Sequence, residues 1–164
     1  MGTYYGTTTT AWNISGGSQT SGSDILVISN PGGAPTITVL TRIMVGIYSS
    51  AAGPGQLSLV KKTGIPSGGT STRITLAQAN PNDSSPNTYA YSYTVPPGTA
   101  GTSTYVCSDW VNIPTAPKTV GGCGVMWAPS GGVILLNGQS VTLELAYTPV
   151  GTTYCLCSFE IVEL

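Results

Sequence analysis

Residues 131–147, GGVILLNGQSVTLELAY, join a short apolar run to a strictly alternating one through Asn137-Gly138. In the alternating run the polar side chains share one parity and the apolar side chains the other, the apolar set being Val141, Leu143, Leu145 and Tyr147. A period of two residues is typical of a β-strand with one buried face. The stretch therefore predicts two strands joined by a tight turn, and Gly138 allows the chain to cross there between sheets.

The rest of the chain continues this pattern of short strands separated by glycine and proline. TITVLTRIMVGIY predicts a strand with one face formed by Ile37, Val39, Ile43, Val45 and Ile47, and the following Gly-Pro-Gly predicts a hairpin to residues 57–59. Further strands are predicted at 25–29, 72–76, 88–95, 102–107, 124–127, 133–136, 140–147 and 154–162. No segment has a helical period. The fold is therefore predicted to be all-β, a sandwich, a jelly roll or a barrel, and we expect a jelly-roll-like β-sandwich.

The length of the chain, 164 residues, suits one domain with a single core. We expect this β-sandwich domain to span residues 25–164. Residues 1–24 are mostly threonine, glycine and serine with scattered aromatic side chains. They predict an extended N-terminal arm outside the core.

Charge is scarce, with only 7% charged residues, five of them basic, and a net charge of −1. No nucleic-acid partner is expected, since that would need a clustered positive field. Lys61 and Lys62, the adjacent pair, predict protection of a strand edge. No apolar run is long enough to span a membrane, and the start lacks a secretion leader, so we expect synthesis in the cytoplasm. Weak repulsion between copies suits a protein that works in an assembly.

Catalytic chemistry has little support in the sequence, and no enzyme, cofactor or metal site is expected. Histidine, the most common general base, does not occur. Glu144 and Glu160 could face each other on neighbouring strands, as a glycosidase would require. However, each has the parity opposite to the apolar residues of its strand, which predicts that both face solvent. A small β-sandwich hydrolase is therefore the weakest functional hypothesis.

The four cysteines are Cys107, Cys123, Cys155 and Cys157. Cys155 and Cys157 are two residues apart, so on a strand they project from the same face. We expect them to be buried free thiols, because zinc sites favour Cys-x-x-Cys spacings or histidine ligands. The sequence leaves open whether Cys107 or Cys123 forms a disulfide.

The order of the last strands has a parallel in known proteins. An apolar strand, an Asn-Gly turn, an alternating strand and the closing strand TYCLCSFEIVEL resemble the carboxy-terminal half of small viral jelly rolls and of trimeric tumour-necrosis-factor-like heads. With LTRIMVGIYSSAAGPGQLSLVKKTG, most of residues 25–164 resembles the small decoration, or cement, proteins of tailed-phage capsids. The resemblance implies a homotrimeric virion protein on the outer capsid surface that staples subunits of the major capsid protein.

The candidate partner-binding residues are aromatic, namely Tyr4, Tyr5, Trp12, Tyr89, Tyr91, Tyr93, Trp110 and Trp127. Three of these tyrosines share one face of the strand within TYAYSYTV. That face predicts an aromatic ladder of the core, a platform for sugar rings or a subunit interface. The alternative function is accordingly a receptor-binding or carbohydrate-binding head of a phage tail fibre.

Overall fold

The computed structural model describes residues 1–14, 23–32, 37–98, 101–115, 124–147 and 151–164. Every regular element within these ranges is a strand, and none of them holds a helix that could cross a membrane. The strands are β1 Gly2–Ile14, β2 Ser23–Ser29, β3 Thr38–Ser49, β4 Gly53–Lys62, β5 Thr70–Ile74, β6 Ala77–Gln78, β7 Tyr89–Val95, β8 Ser103–Ile113, β9 Gly124–Trp127, β10 Val133–Leu135, β11 Ser140–Ala146 and β12 Gly151–Glu163.

The strands form two antiparallel sheets that pack face to face around one apolar core, which confirms the predicted all-β sandwich. Sheet I has the order β10-β3-β12-β1-β6, with β9 also paired to β3, and sheet II has the order β5-β7-β2-β11-β4-β8. With β5 to β7 set aside as an insertion, the pairs nest: β1 with β12, β2 with β11, β3 with β9 and β10, and β4 with β8. Nested pairing across two sheets is the jelly-roll arrangement.

Strand β1 belongs to the sandwich and corrects the prediction of an arm for residues 2–14. It pairs with β12 along its whole length, from Gly2 opposite Glu163 onward, and Tyr4 is only 1% exposed. A Cβ atom at Gly6 would overlap the ring of Phe159, so the small residue leaves room for a large one on the neighbouring strand. β2 begins within the predicted arm as well, and residues 15–22 lie outside the described part of the chain.

A β-bulge in β3 changes the face predicted for its first residues. The register against β12 shifts between Glu160 and Ile161, which leaves Thr41 as the extra residue. Beyond the bulge the parity inverts, so Leu40 enters the core and Val39 faces outward, contrary to the prediction. The predicted Ile43, Val45 and Ile47 positions in the core are confirmed.

Most connections between successive strands cross from one sheet to the other, and two of them bear on the sequence predictions. At Gly138 the chain passes from β10 in sheet I to β11 in sheet II, as predicted, with φ at 78° and a hydrogen bond from its N–H to Asn30 O. The predicted hairpin between β3 and β4 is wrong, because these strands lie in different sheets. Lys61 and Lys62 consequently lie on an inner strand, between β11 and β8, and do not protect an edge.

The outer face of sheet II is partly covered by the chain itself. β4 ends beside Ser140, whereas β5 begins opposite Val95 at the other end of the sheet, so residues 63–69 must cross over this face. After β7 the chain returns beside this crossing, where Gly98 N donates to Ser67 O at 3.0 Å. Beneath these connections Val27, Val60 and Thr142 face outward and are nevertheless fully buried.

Candidate functional site

Two of the predicted partner-binding aromatics lie in the core. Tyr4 donates its hydroxyl to Ser84 O at 2.7 Å, and burial raises its pKa. Trp127 is 8% exposed and donates from Nε1 to Asp109 Oδ2 at 2.6 Å, which joins β9 to β8 across the two sheets. Both residues therefore stabilise the sandwich and are not at its surface. The side chain of Trp12, also predicted, lies outside the described part of the structure.

The predicted tyrosines of β7 lie on the outer face of sheet II, since Ala90 between them points into the core. Tyr93 is buried, and burial raises the pKa of its hydroxyl. Tyr89 and Tyr91 are half-buried, and the guanidinium of Arg73 lies 4.3 Å from the centre of the Tyr89 ring. A cation over the ring face stabilises the strand pair and occupies the surface that a ligand would need. The tyrosine face, formed by Tyr89, Tyr91 and Tyr93, is therefore partly covered.

Trp110 forms an exposed aromatic pair that the sequence did not predict. It lies opposite Gln56 on the outer face of sheet II and packs against Tyr147, with the ring centres 5.1 Å apart. The alternating pattern predicted that Tyr147 would point inward with Leu145. Tyr147 instead has φ at 52°, which turns its ring to the outer face after β11 ends at Ala146. The pair is the largest aromatic surface that sheet II leaves open.

Polar side chains continue from this aromatic pair along the same face. Gln56 donates from Nε2 to Ser108 Oγ at 3.0 Å, and the hydroxyls of Ser108 and Ser58 are 2.8 Å apart. Ser58 is itself opposite Glu144 on β11. The outer face of sheet II therefore carries a row of hydrogen-bonding groups that begins at an aromatic platform.

Among the described residues nothing covers the outer face of sheet I, and much of this face is apolar. The exposed side chains are Tyr5, Met44, Met126, Ile134 and Leu156, which come from five neighbouring strands. Where Gly46 pairs with Gly124, the missing side chains leave an open hollow of about 510 Å³ walled by Met44, Met126 and Leu156. Of the predicted partner-binding residues, Tyr5 is the one that lies on this face. The methionines were not singled out in the sequence, although the predicted core face of Ile43, Val45 and Ile47 already places Met44 on the outer face.

Glu144 and Glu160 do not form a catalytic pair, because β11 and β12 belong to different sheets. Glu160 lies on the outer face of sheet I, where it accepts a hydrogen bond from Thr41 Oγ1 at 2.8 Å and pairs with Arg42 at 3.5 Å. The prediction that Glu144 faces solvent is wrong. Its side chain is 12% exposed and lies 3.2 Å from Lys62 Nζ.

Glu144 belongs to a buried cluster of three charges that the sequence analysis missed. Lys62 Nζ lies 2.7 Å from each carboxylate oxygen of Asp24 as well as contacting Glu144. Burial raises the pKa of the Glu144 carboxyl, the nearby ammonium lowers it, and the second carboxylate raises it again. Two carboxylates share one ammonium here, so protonation of Glu144 would balance the cluster. The register of β2 against β11 shifts between Leu143 and Glu144, which leaves Ile25 as the extra residue and places Asp24 opposite Glu144.

Glu163 forms a second buried polar cluster at the opposite sheet. Its Oε1 accepts hydrogen bonds from Asn87 N at 2.9 Å, Thr88 N at 2.7 Å and Thr88 Oγ1 at 2.7 Å. Because Thr88 Oγ1 donates to the carboxylate, Thr38 Oγ1 must donate to Thr88, at 2.7 Å. The cluster fixes the connection before β7 to the end of β12.

The cysteines of β12 are buried free thiols, as predicted. Burial raises the pKa of Cys157 to about 12 and that of Cys155 well above its ordinary value. Cys107 is also free, and its pKa is raised to about 11, chiefly by burial. Such thiols stay protonated at neutral pH and are poor nucleophiles. Cys123 lies outside the described residues.

No group of three or more metal-ligating side chains occurs in the described part of the chain. The fold and these surfaces define a jelly-roll β-sandwich with an apolar face on sheet I and an aromatic and polar face on sheet II. The chain matches no protein-family model, and no curated protein is detectably similar to it in sequence.

Proposed function

We propose that this protein is a structural subunit of a virion, a decoration protein that binds the outside of a tailed-phage capsid through the outer face of sheet I. Its partner is the major capsid protein. The observation that carries the proposal is the uncovered apolar surface of Tyr5, Met44, Met126, Ile134 and Leu156. Large exposed apolar patches on a folded domain mark interaction sites.

The contrast between the two sheets supports this choice of surface. The chain covers part of the outer face of sheet II with its own connections, whereas sheet I lacks such a cover among the described residues. Methionine side chains adapt to the shape of a partner because they are unbranched and flexible. Arg42 and Glu160 neutralise each other beside the apolar surface, so binding need not leave an unpaired charge at its rim.

The affinity of one such face for the capsid is modest, and a trimer increases the combined affinity. The resemblance to trimeric jelly rolls supports a homotrimer that presents three copies of the face to neighbouring capsid subunits. Linked sites bind with a combined strength far above that of one site, provided that their geometry allows all of them to engage. The proposed trimer would therefore staple the shell.

The test substitutes three residues of the face together, Met44→Gln, Met126→Gln and Leu156→Gln. These side chains are exposed, so folding should be little affected, whereas capsid binding should be lost. The readout is the number of copies per particle relative to the major capsid protein, by quantitative mass spectrometry. Tyr105→Gln, an exposed substitution on sheet II, is the matched control and should bind normally.

Two outcomes would contradict the proposal. One is a purified particle that contains only a handful of copies of the unmodified chain. The other is full occupancy by the triple variant. Deletion of the first residues is not a usable test, because removal of β1 takes a paired inner strand out of sheet I.

A further inference from the structure

We propose that Trp110 and Tyr147, together with Gln56 and Ser108, form a binding site for a neutral pyranose sugar. The site lies on sheet II, so the inference is independent of capsid binding through sheet I. Trp110 is 63% exposed and Tyr147 is 42% exposed, although their rings pack against each other. A pair that served only to bury aromatic surface would leave less of it in solvent.

The backbone holds Tyr147 in this position at a cost. Among the described residues, Tyr147 is the one non-glycine residue with a positive φ, at 52°. The left-handed region is unfavourable for a bulky side chain, and such outliers concentrate at functional sites. A regular continuation of β11 would turn the ring inward, so the strained residue is what completes the exposed pair.

The ring planes are tilted by 34°, which makes a shallow angled platform. The C–H face of a pyranose packs on aromatic rings, while its hydroxyls need donors and acceptors at the edge of the platform. Gln56 and Ser108 supply them directly beside Trp110, and their mutual hydrogen bond of 3.0 Å fixes both side chains. An amide next to a hydroxyl can donate and accept, as vicinal sugar hydroxyls require.

The charges around the platform select a neutral ligand. On the same face the nearest described carboxylate along the polar row is Glu144, and the ammonium of Lys62 is buried against Asp24. Asp109 precedes Trp110 but points to the inner side of the edge strand, where it accepts from Trp127. The described residues around the platform therefore offer a carboxylated sugar no free cation with which to pair.

The experiment is an NMR titration of the full chain that follows the indole N–H of Trp110. The probes are the methyl glycosides of glucose, galactose, mannose and N-acetylglucosamine, with the corresponding oligosaccharides, and a sialoside as the anionic comparison. We expect at least one neutral glycan to shift the Trp110 signal, with a dissociation constant on the order of 1 mM, as small ligands on open sites have. The sialoside should cause no shift.

Variants separate the site from general surface effects, and in them the backbone amide signals of Gln56 and Tyr147 report binding, because the Trp110 variants have no indole signal. Trp110→Ala should weaken binding about tenfold or more, the scale of a lost aromatic contact, and Trp110→Phe should restore part of it. Tyr105→Ala, which removes another exposed aromatic from the same strand, should bind like the unmodified protein.

The proposal is overturned if no neutral glycan shifts Trp110, if only the sialoside does, or if Trp110→Ala binds as tightly as the unmodified chain. The triple variant of sheet I should bind the sugar as tightly as the unmodified chain does, although it no longer binds capsids. That result would show that the two sites are separate. Loss of capsid occupancy in Trp110→Ala would identify the pair as a protein contact, which also overturns the sugar site.

Discussion

Lys62 places its ammonium 2.7 Å from both carboxylate oxygens of Asp24, and both side chains are 4% exposed. Breaking a buried ion pair leaves an uncompensated charge, which is costly because water cannot solvate it. In this cluster the loss of Lys62 would strand two carboxylates, Asp24 and Glu144.

Lys62→Met should therefore lower the free energy of unfolding by about 3–5 kcal/mol, measured by urea denaturation. Lys61→Met is the matched control, since Lys61 is only partly buried and is not a member of the cluster; it should change stability by about 0.5 kcal/mol or less. Equal effects of the two substitutions would show that the cluster contributes nothing beyond the loss of a lysine.

Glu144 should make stability depend on pH. In the unfolded chain its carboxyl titrates near the ordinary value of 4.5, and the folded protein raises the pKa. Below pH 4.5 both states hold the proton and the stabilising effect of protonation is complete. As pH rises through the raised pKa, the unfolded state loses its proton first, so the folded state loses stability.

Glu144→Gln removes this titration. The stability of the unmodified protein relative to Glu144→Gln should fall as pH increases from 4.5 toward neutrality, measured by thermal unfolding at a series of pH values. Glu160→Gln removes a carboxylate from the other sheet and is the control. If the stability of the unmodified protein relative to Glu144→Gln stayed constant or rose with pH, the raised pKa of Glu144 would be contradicted.

Thr88 links the connection before β7 to two strands of sheet I through Glu163 and Thr38. Thr88→Val keeps the shape of the side chain and removes both hydrogen bonds of its hydroxyl. The expected loss is about 1–3 kcal/mol, the cost of unsatisfied buried polar groups, measured by urea denaturation. Thr94→Val, at an exposed hydroxyl, should be neutral, and a neutral Thr88→Val would refute the role of the cluster.

Cys155 and Cys157 should resist thiol reagents until the sandwich opens. The thiolate is the reactive species, and burial suppresses it in both residues. Peptide mapping by mass spectrometry after treatment with iodoacetamide should show little modification in the native protein and complete modification in urea. Fast native labelling of either residue would mean that β12 separates readily from its neighbours.

The fold class could be predicted from the sequence because alternation reports one buried face wherever a strand is regular. The strands at 25–29, 124–127 and 133–136 were predicted almost as they occur, and so was the crossing at Gly138. β1 was missed because, apart from Tyr4, the inward residues described in it are small. Gly6 faces Phe159, so the hydrophobic volume at that position belongs to the neighbouring strand and leaves no signal in β1.

The surfaces were harder to predict, since they depend on irregularities that have no local signature. The bulge at Thr41 inverts the early parity of β3, and the positive φ of Tyr147 exposes a residue that alternation places in the core. Lys62 is buried against Asp24 and Glu144, which lie far from it in the chain. The predicted aromatic set therefore divides among the core, a closed tyrosine face and the open pair at Trp110.

The pairing of β1 with β12 also determines how the domain would respond to mechanical load. Gly2 lies opposite Glu163, and the two strands run antiparallel from there. A force that pulls these two residues apart would load the hydrogen bonds one after another, like a zipper, instead of shearing all of them together. The domain would therefore yield at low force when pulled there, and it would resist better if tension entered through loops at opposite ends of one strand.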